Sequence, residues 1–184
     1  SNFKDENFIV SVDNFITSVH CPHWLNPNHS ITRAILVAVS DLSAMAAKPY
    51  CIFLSIAIPR IKKKNLFNDL KKGINKGLLL TDMKLAGGDL CVYDGPLSFC
   101  VTVVGKGKKK NILKRTGARA GDYLCLTGTI GDAKIGLDSL LKIKKVNESD
   151  LKDSTISKFL YPTVRTDFSQ KIAKHANACI DISD

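Results

Sequence analysis

The chain has 184 residues, a net charge of +10 at pH 7, 45% hydrophobic residues and 24% charged residues. This composition predicts a soluble globular protein large enough to bury a core. No apolar run approaches the ~20 residues of a membrane span, and the N-terminus lacks the pattern of a signal peptide, so we expect a cytoplasmic protein. The positive charge comes from lysine runs without interleaved aromatic residues, which leaves nucleic-acid binding as a secondary alternative.

The six cysteines contain no CxxC pair. Four of them lie inside apolar runs, which predicts buried free thiols: Cys51, Cys100, Cys125 and Cys179. The segment His20-Cys21-Pro22-His23 has the wrong spacing for a zinc finger, and no second cysteine pair accompanies it. A zinc site is therefore not predicted.

The first part of the chain predicts an α+β unit with a mixed sheet and a ferredoxin-like rhythm of elements. In chain order we expect strand, helix, strand, helix, strand and strand, over residues 8–12, 32–47, 51–58, 65–79, 84–86 and 97–104. The first strand is expected to end at Asp13, and the fifth element to lead into a turn at Gly87-Gly88-Asp89.

The pattern restarts after Arg115-Thr116-Gly117, so we place a domain boundary near residue 116. Residues 1–116 form the first predicted domain, and residues 117–184 the beginning of a second α/β domain. The elements expected there are a strand, three helices and a strand, over residues 123–127, 133–141, 150–160, 166–178 and 179–182.

Short acidic motifs are the most informative feature of this basic chain. They are Ser11-Val12-Asp13, Val39-Ser40-Asp41, Gly87-Gly88-Asp89 and Asp181-Ile182-Ser183-Asp184. Mg²⁺ prefers hard oxygen ligands and usually takes one or two carboxylates together with substrate phosphate oxygens and water. A lone aspartate at a strand end is more often a turn former or helix cap, so only the set of motifs favours magnesium polyphosphate binding.

Asp41 is the strongest single candidate, because its helical neighbours are almost all apolar and no Lys or Arg lies within four residues. A carboxylate in such surroundings needs a partner. Gly87 and Gly88 allow the backbone before Asp89 to approach an anion. No GxxxxGK[ST] segment is present, so a nucleotide would be held through metals and carboxylates.

Taken together, these motifs resemble bacterial thiamine-monophosphate kinase, a family within the superfamily of aminoimidazole ribonucleotide synthetase and selenophosphate synthetase. The resemblance also includes His20 seven residues after Asp13, and it extends over essentially the whole chain in order. Its further segments are Leu42 to Pro49, Arg115 to Asp122, Thr127 to Ala133 and Ile180 to Asp184.

The resemblance implies transfer of phosphate from ATP to thiamine phosphate in a homodimeric enzyme. It implies Mg²⁺ ligands at Ser11, Asp13, Asp41, Asp89, Asp181 and Asp184. ATP contacts are implied at Gly88, Asp89, Arg115, Ser183 and, by spacing, Lys71, where the family has a tyrosine. His20 is the implied thiamine phosphate contact.

The chain departs from the family pattern at Val12 and Leu90, where the family usually has threonine. The Gly-Asp-Asp segment expected upstream of Phe8 and the family's C-terminal half are not in this sequence. We therefore expect this chain to be inactive by itself. Two alternatives stay open: another ATP-dependent phosphotransferase or synthetase of the superfamily, and a basic binding module that keeps the scaffold without catalysis.

Overall fold

A computed structural model describes residues 6–61 and 64–182 of the chain. In chain order the strands and helices are β1 Glu6–Ile16, α1 Pro27–Ala44, β2 Lys48–Pro59, α2 Leu66–Thr81, β3 Lys84–Tyr93, β4 Ser98–Lys108, α3 Asp132–Ile143, α4 Ser154–Leu160 and α5 Thr166–Ile172. Short 3-10 helices lie at Lys109–Asn111 and Asp150–Lys152. The predicted α+β class with a mixed sheet is confirmed.

The sheet has the strand order β1-β4-β2-β3. Strand β4 pairs antiparallel with both β1 and β2, whereas β3 pairs parallel with β2. Alternation along each strand separates two faces. One face carries buried side chains such as Ile52, Leu54 and Val101 beneath α1, and the other carries partly exposed ones such as Phe53. We call the second one the open face.

Helix α1 begins earlier than its apolar pattern predicts. The Asn26 side chain accepts a hydrogen bond from the amide of Asn28, and Pro27 stands in the first turn. Asparagine is favoured as the N-cap residue and proline in the first turn of a helix. Asn26 and Pro27 therefore indicate where the helix begins, whereas the apolar periodicity does not. The helix then buries an almost continuous apolar face that includes Ile31, Ile35 and Leu42.

Helix α2 packs on α1 rather than on the sheet, and glycines allow the close approach. A Cβ atom on Gly73 would lie 2.4 Å from the Asn28 carbonyl oxygen, and one on Gly77 would lie 2.7 Å from Ile35 Cδ1. Because α2 packs on α1, none of the described helices covers strand β3 to any great extent. Leu85, Leu90 and Val92 on that strand are each more than 40% exposed.

Two predicted strands in the second part of the chain are wrong. Residues 123–127 and 179–182 have no strand structure. Tyr123 and Leu124 are 94% and 103% exposed, so their apolar pattern has no described partner strand to pair with. The helix expected over residues 150–160 is a 3-10 turn followed by α4, and α5 ends at Ile172, six residues before the expected end.

The apolar core is continuous across residue 116. Leu140, Ile156, Phe159 and Leu160 belong to the same buried cluster as the sheet and α1. A boundary near residue 116 therefore stays a proposal about chain organisation. The described cysteines are all free thiols, as predicted, but only Cys21 is buried. In the described ranges, no helix combines the length and apolarity needed to cross a membrane.

A partly buried polar cluster joins α4 to the two long helices. The Tyr161 hydroxyl and Nδ1 of His29 share a hydrogen bond at 2.5 Å, and the Lys76 ammonium lies 3.3 Å from the centre of the Tyr161 ring. Burial and the charge of Lys76 lower the pKa of His29, against an opposing contribution from Asp69. Burial also raises the pKa of Tyr161 to about 12. The fold therefore favours neutral imidazole and neutral phenol.

This cluster predicts loss of stability in mild acid. The folded state holds His29 below its ordinary pKa of 6.5, so the unfolded state binds the proton more readily as the pH falls below that value. Melting temperature measured between pH 8 and pH 5 should fall more steeply for the wild-type chain than for His29→Asn. The exposed His175→Asn is the control. Parallel curves for the wild-type chain and His29→Asn would contradict this assignment.

Candidate functional site

Strand β1 supplies the first two side chains of the site. Alternation places Ser11 and Asp13 on the same face as the buried Ile9 and Phe15, while Val12 points to the open face and is 57% exposed. The prediction that this strand ends at Asp13 is wrong, because β1 continues to Ile16. Antiparallel pairing of Asp13 with Val101 of β4 fixes the position of the carboxylate.

Helix α1 supplies Asp41, which faces β1. The Ser11 hydroxyl donates a hydrogen bond to Oδ2 of Asp41. Sequence reasoning predicted that this carboxylate needs a partner and looked for a metal or cation. The partner found in the fold is a serine hydroxyl thirty residues earlier, which supplies a hydrogen bond but no positive charge.

The third carboxylate comes from residues 176–182, which follow α5. We call these residues the terminal segment. Its Cys179 amide donates to the Lys114 carbonyl oxygen at 3.1 Å, and Cys179 packs on the small cluster of Ala46, Leu113 and Ala173. The Ser40 hydroxyl donates to Oδ2 of Asp181 at 3.2 Å. These contacts bring Asp181 to α1 from 140 residues away in sequence.

The carboxylates influence one another. Burial raises the pKa of Asp13, the charges of Asp41 and Asp181 raise it further, and His20 opposes them. The His20 ring packs on Phe15 with 5.3 Å between ring centres, and its Nδ1 accepts a hydrogen bond from the Ile16 amide at 2.9 Å. The structure therefore brings together Ser11, Asp13, Asp41 and Asp181 as one cluster with His20 beside it, and we call this group the acidic cluster.

The structure does not bring Asp89 to this cluster. The predicted Gly-Gly-Asp turn is wrong, because Gly87, Gly88 and Asp89 lie inside β3 and pair with β2. Asp89 pairs with Ser55 and so lies on the open face, opposite the side of the buried Leu54. A Cβ atom on Gly88 would lie 2.1 Å from the Leu54 carbonyl oxygen, so this glycine is required by strand packing.

The remaining predicted contacts lie on the surface or outside the described residues. Arg115 is exposed in the segment after the first 3-10 helix, and Lys71 is exposed on α2. Ser183 and Asp184 fall outside the described residues, so their predicted roles stay predictions. Sequence reasoning assigned no role to Ser40, although its position directly before Asp41 in the second motif was a usable signal.

The donor set of the acidic cluster fits a hard divalent cation. It offers carboxylate and hydroxyl oxygens and concentrates negative charge, as the raised pKa of Asp13 indicates. Over residues 6–61 and 64–182, no three His, Cys, Asp or Glu side chains form a ready-made metal cage. Mg²⁺ keeps several waters and commonly completes its octahedron with substrate phosphates, so an open cluster of this kind suits it.

Residues 2–106 match the family model described as AIR synthase related protein, N-terminal domain. The chain belongs to this family. The matched region contains three strands of the sheet, most of β4 and both long helices, and it includes Ser11, Asp13 and Asp41. The expected superfamily relationship is thereby confirmed.

Similar proteins are thiamine-monophosphate kinases. The one from Buchnera aphidicola subsp. Schizaphis graminum is 33% identical over 181 residues, covering 98% of this chain and 55% of its own length. The crystal structure of the kinase from Stenotrophomonas maltophilia K279a superposes with a TM-score of 0.87 at 27% identity, over 98% of this chain and 58% of that one.

A structure of AaThiL complexed with AMPPCP and TMP superposes equally well. Its TM-score is 0.87 at 27% identity, over 100% of this chain and 58% of that one. The chain thus spans a little more than half the length of the relatives it matches. The resemblance inferred from the acidic motifs is confirmed along the whole of this sequence.

The electrostatics of the acidic cluster predict that one of its carboxylates reduces stability when no metal is present. Because burial and like charges disfavour ionised Asp13, Asp13→Asn should raise the melting temperature in EDTA at pH 7. We expect a gain below about 1 kcal/mol, which corresponds to about 2–4 °C at this size. The exposed Asp82→Asn removes the same charge elsewhere and controls for net charge. A lower melting temperature for Asp13→Asn alone would contradict the electrostatic account.

Proposed function

We propose that this chain functions in ATP-dependent phosphorylation of thiamine phosphate to thiamine diphosphate, with Mg²⁺ as the cofactor. The observation that carries the proposal is the convergence of Asp13, Asp41 and Asp181 from three separate elements onto one place. Support comes from the thiamine-monophosphate kinases that the chain resembles over nearly all its residues, and from the nucleotide analogue and TMP in one of the similar structures.

The proposed metal ligands in the acidic cluster are Ser11, Asp13, Asp41 and Asp181. Asp89, on the open face, and Asp184 are proposed as ligands of further ions. When bound, Mg²⁺ would neutralise phosphate charge and align the transferred group. Asp13, Asp41 and Asp181 present oxygens on the helix-covered side of the sheet. Ser11 holds Asp41 by its hydrogen bond, so one carboxylate oxygen is oriented and the other stays available to a ligand.

The reaction needs no nucleophile from the protein. A phosphate oxygen of thiamine phosphate attacks the γ-phosphorus of ATP in line, a new phosphoanhydride bond forms, and the bond from the γ-phosphorus to the β–γ bridging oxygen breaks. ADP leaves with that electron pair. His20 stands beside Asp13 on the exposed side of the cluster, where its imidazole can contact the phosphate of the acceptor. The ATP contacts proposed for Gly88, Asp89, Arg115, Ser183 and Lys71 complete the assignment.

We also propose that the chain forms a homodimer through the open face. Phe8, Val10, Val12 and Phe53 are exposed there by 57%, 58%, 57% and 44%. Contiguous apolar surface of this kind marks an interaction site. A symmetric pair of open faces would bury these side chains and shield the exposed β3 edge strand. In keeping with this biosynthetic role, we propose a cytoplasmic location.

Calorimetric titration tests the kinase proposal. Full chain titrated with AMPPCP should bind in 5 mM Mg²⁺ and not in EDTA, and thiamine phosphate should strengthen the binding. Asp41→Asn should weaken nucleotide binding by about tenfold or more, because it removes a ligand oxygen and leaves Ser11 without its acceptor. Asp138→Asn on α3 is the matched control. Binding that ignores Mg²⁺, together with DNA binding that falls steeply with salt, would favour the basic binding module instead.

The dimer proposal predicts that charge on the open face dissociates the assembly. Val10→Lys would place two like charges across a symmetric interface, so light scattering should report the monomer mass at concentrations where the wild-type chain is dimeric. Ile61→Lys introduces the same charge at a site that is 90% exposed outside the sheet and should leave the dimer intact. A monomeric wild-type chain would refute the proposal directly.

A further inference from the structure

The Ser40 hydroxyl is the least explained polar group near the acidic cluster. It stands on α1 directly before Asp41 and is partly buried, and it donates a hydrogen bond to Asp181 at 3.2 Å. Helix interiors do not favour serine for its propensity. Helix propensity therefore does not explain why a serine stands at position 40.

We propose that Ser40 is a positioning residue that holds Asp181 in the acidic cluster against the repulsion of the other carboxylates. Asp181 is bonded to Ser40, and the next residue on α1, Asp41, carries the same charge, so the two carboxylates repel each other. A hydrogen bond to an ionised carboxylate is stronger than one between neutral groups. The bond from Ser40 compensates part of this repulsion when no cation is bound.

The geometry also lets one helix set the spacing of two carboxylates. Asp41 is part of α1, and Asp181 is bonded to the residue before it. Consecutive helical residues are fixed relative to each other, so α1 determines where Asp181 stands with respect to Asp41. The terminal segment is also attached at Cys179, whose amide is bonded to Lys114, and at Asn177, whose side-chain amide donates to Asp122. Ser40 thereby fixes the side chain, while the Cys179 bond fixes the backbone two residues earlier.

The serine pair forms a symmetrical arrangement of donors. Ser11 donates to Oδ2 of Asp41, and Ser40 donates to Oδ2 of Asp181. Each hydroxyl donates to one carboxylate oxygen and so helps to orient the carboxylate. Outer groups that orient ligands in this way commonly change metal affinity by 10–100-fold when they are removed. This inference rests on the proposed Mg²⁺ site for its metal arm, but the bond to Asp181 is independent of it.

The first experiment measures Mg²⁺ affinity without catalysis, using the full chain with AMPPCP. The Mg²⁺ concentration that gives half of the thermal stabilisation should rise about tenfold in Ser40→Ala, with little change of melting temperature in EDTA. Ser40→Thr keeps the hydroxyl and should restore most of the affinity. Ser43→Ala, one turn further along α1, makes the same change of helix propensity and controls for it. In a double-mutant cycle, Ser40→Ala should add little to Asp181→Asn, because Ser40 acts through Asp181.

The second experiment needs no metal. In EDTA, hydrogen exchange of the Cys179 amide should be faster in Ser40→Ala than in wild type or Ser43→Ala, because the terminal segment has lost one attachment. If wild type binds Mg²⁺ and Ser40→Ala binds it equally well, the positioning role is overturned. If wild type shows no Mg²⁺ response, the proposed function fails, and the positioning role of Ser40 is then tested by hydrogen exchange of the Cys179 amide alone. Unchanged exchange in that case also overturns the inference.

Discussion

Repulsion among carboxylates is the constraint that organises this molecule. Three aspartates from β1, α1 and the terminal segment are held near one another, and the ionised form of Asp13 is disfavoured first by burial and then by the charges of Asp41 and Asp181. A fold that optimised only its own stability would separate them. The serine hydroxyls, the α1 helix and the Lys114–Cys179 hydrogen bond all act to keep the group together. Such an arrangement makes physical sense when a cation supplies the missing charge.

Two of the elements that carry the cluster, β1 and α1, pack against the apolar core. Strand β4 at the centre of the sheet positions β1 on one side and β2 on the other. Helix α1 lies over this sheet with Ile31, Ile35 and Leu42 buried. The functional side chains therefore stand on rigid elements, which is the requirement for holding ligands within a fraction of an ångström. Only Asp181 comes from an irregular segment, and it has additional attachments.

Much of this arrangement was predictable because its signals are local. Apolar alternation and helical periodicity located every strand and helix of the first part, and the acidic motifs identified Asp13, Asp41 and Asp181 as partners. The predictions that are wrong are those that depend on which strands pair with each other in the folded protein. Residues 123–127 have the pattern of a strand but no described neighbour to bond with, and Gly87-Gly88 looks like a turn yet pairs with Phe53 and Leu54. Single-sequence patterns carry no information about which backbone groups will find partners.

The same limit explains the placement of Asp89. Its motif is as acidic as the others, but register with Ser55 puts it on the open face. A shift of one residue in the pairing of β3 with β2 would have placed Asp89 on the helix-covered face. The register shift between Ile52 and Phe53 therefore determines on which face Asp89 lies. Ser40 was overlooked for a related reason, since its acceptor lies far away in sequence.

The sheet order has a consequence for how the chain folds. Among the described strands, β1 pairs with β4 alone, and the register joins Glu6 to Lys108. During synthesis, β1 must wait until about a hundred further residues have emerged before its backbone groups find partners. Such long-range closure slows folding and leaves an apolar strand exposed to wrong associations in the meantime. The strand that supplies Ser11 and Asp13 is therefore secured only after β4 has been made, and the acidic cluster is assembled only after the terminal segment has followed it.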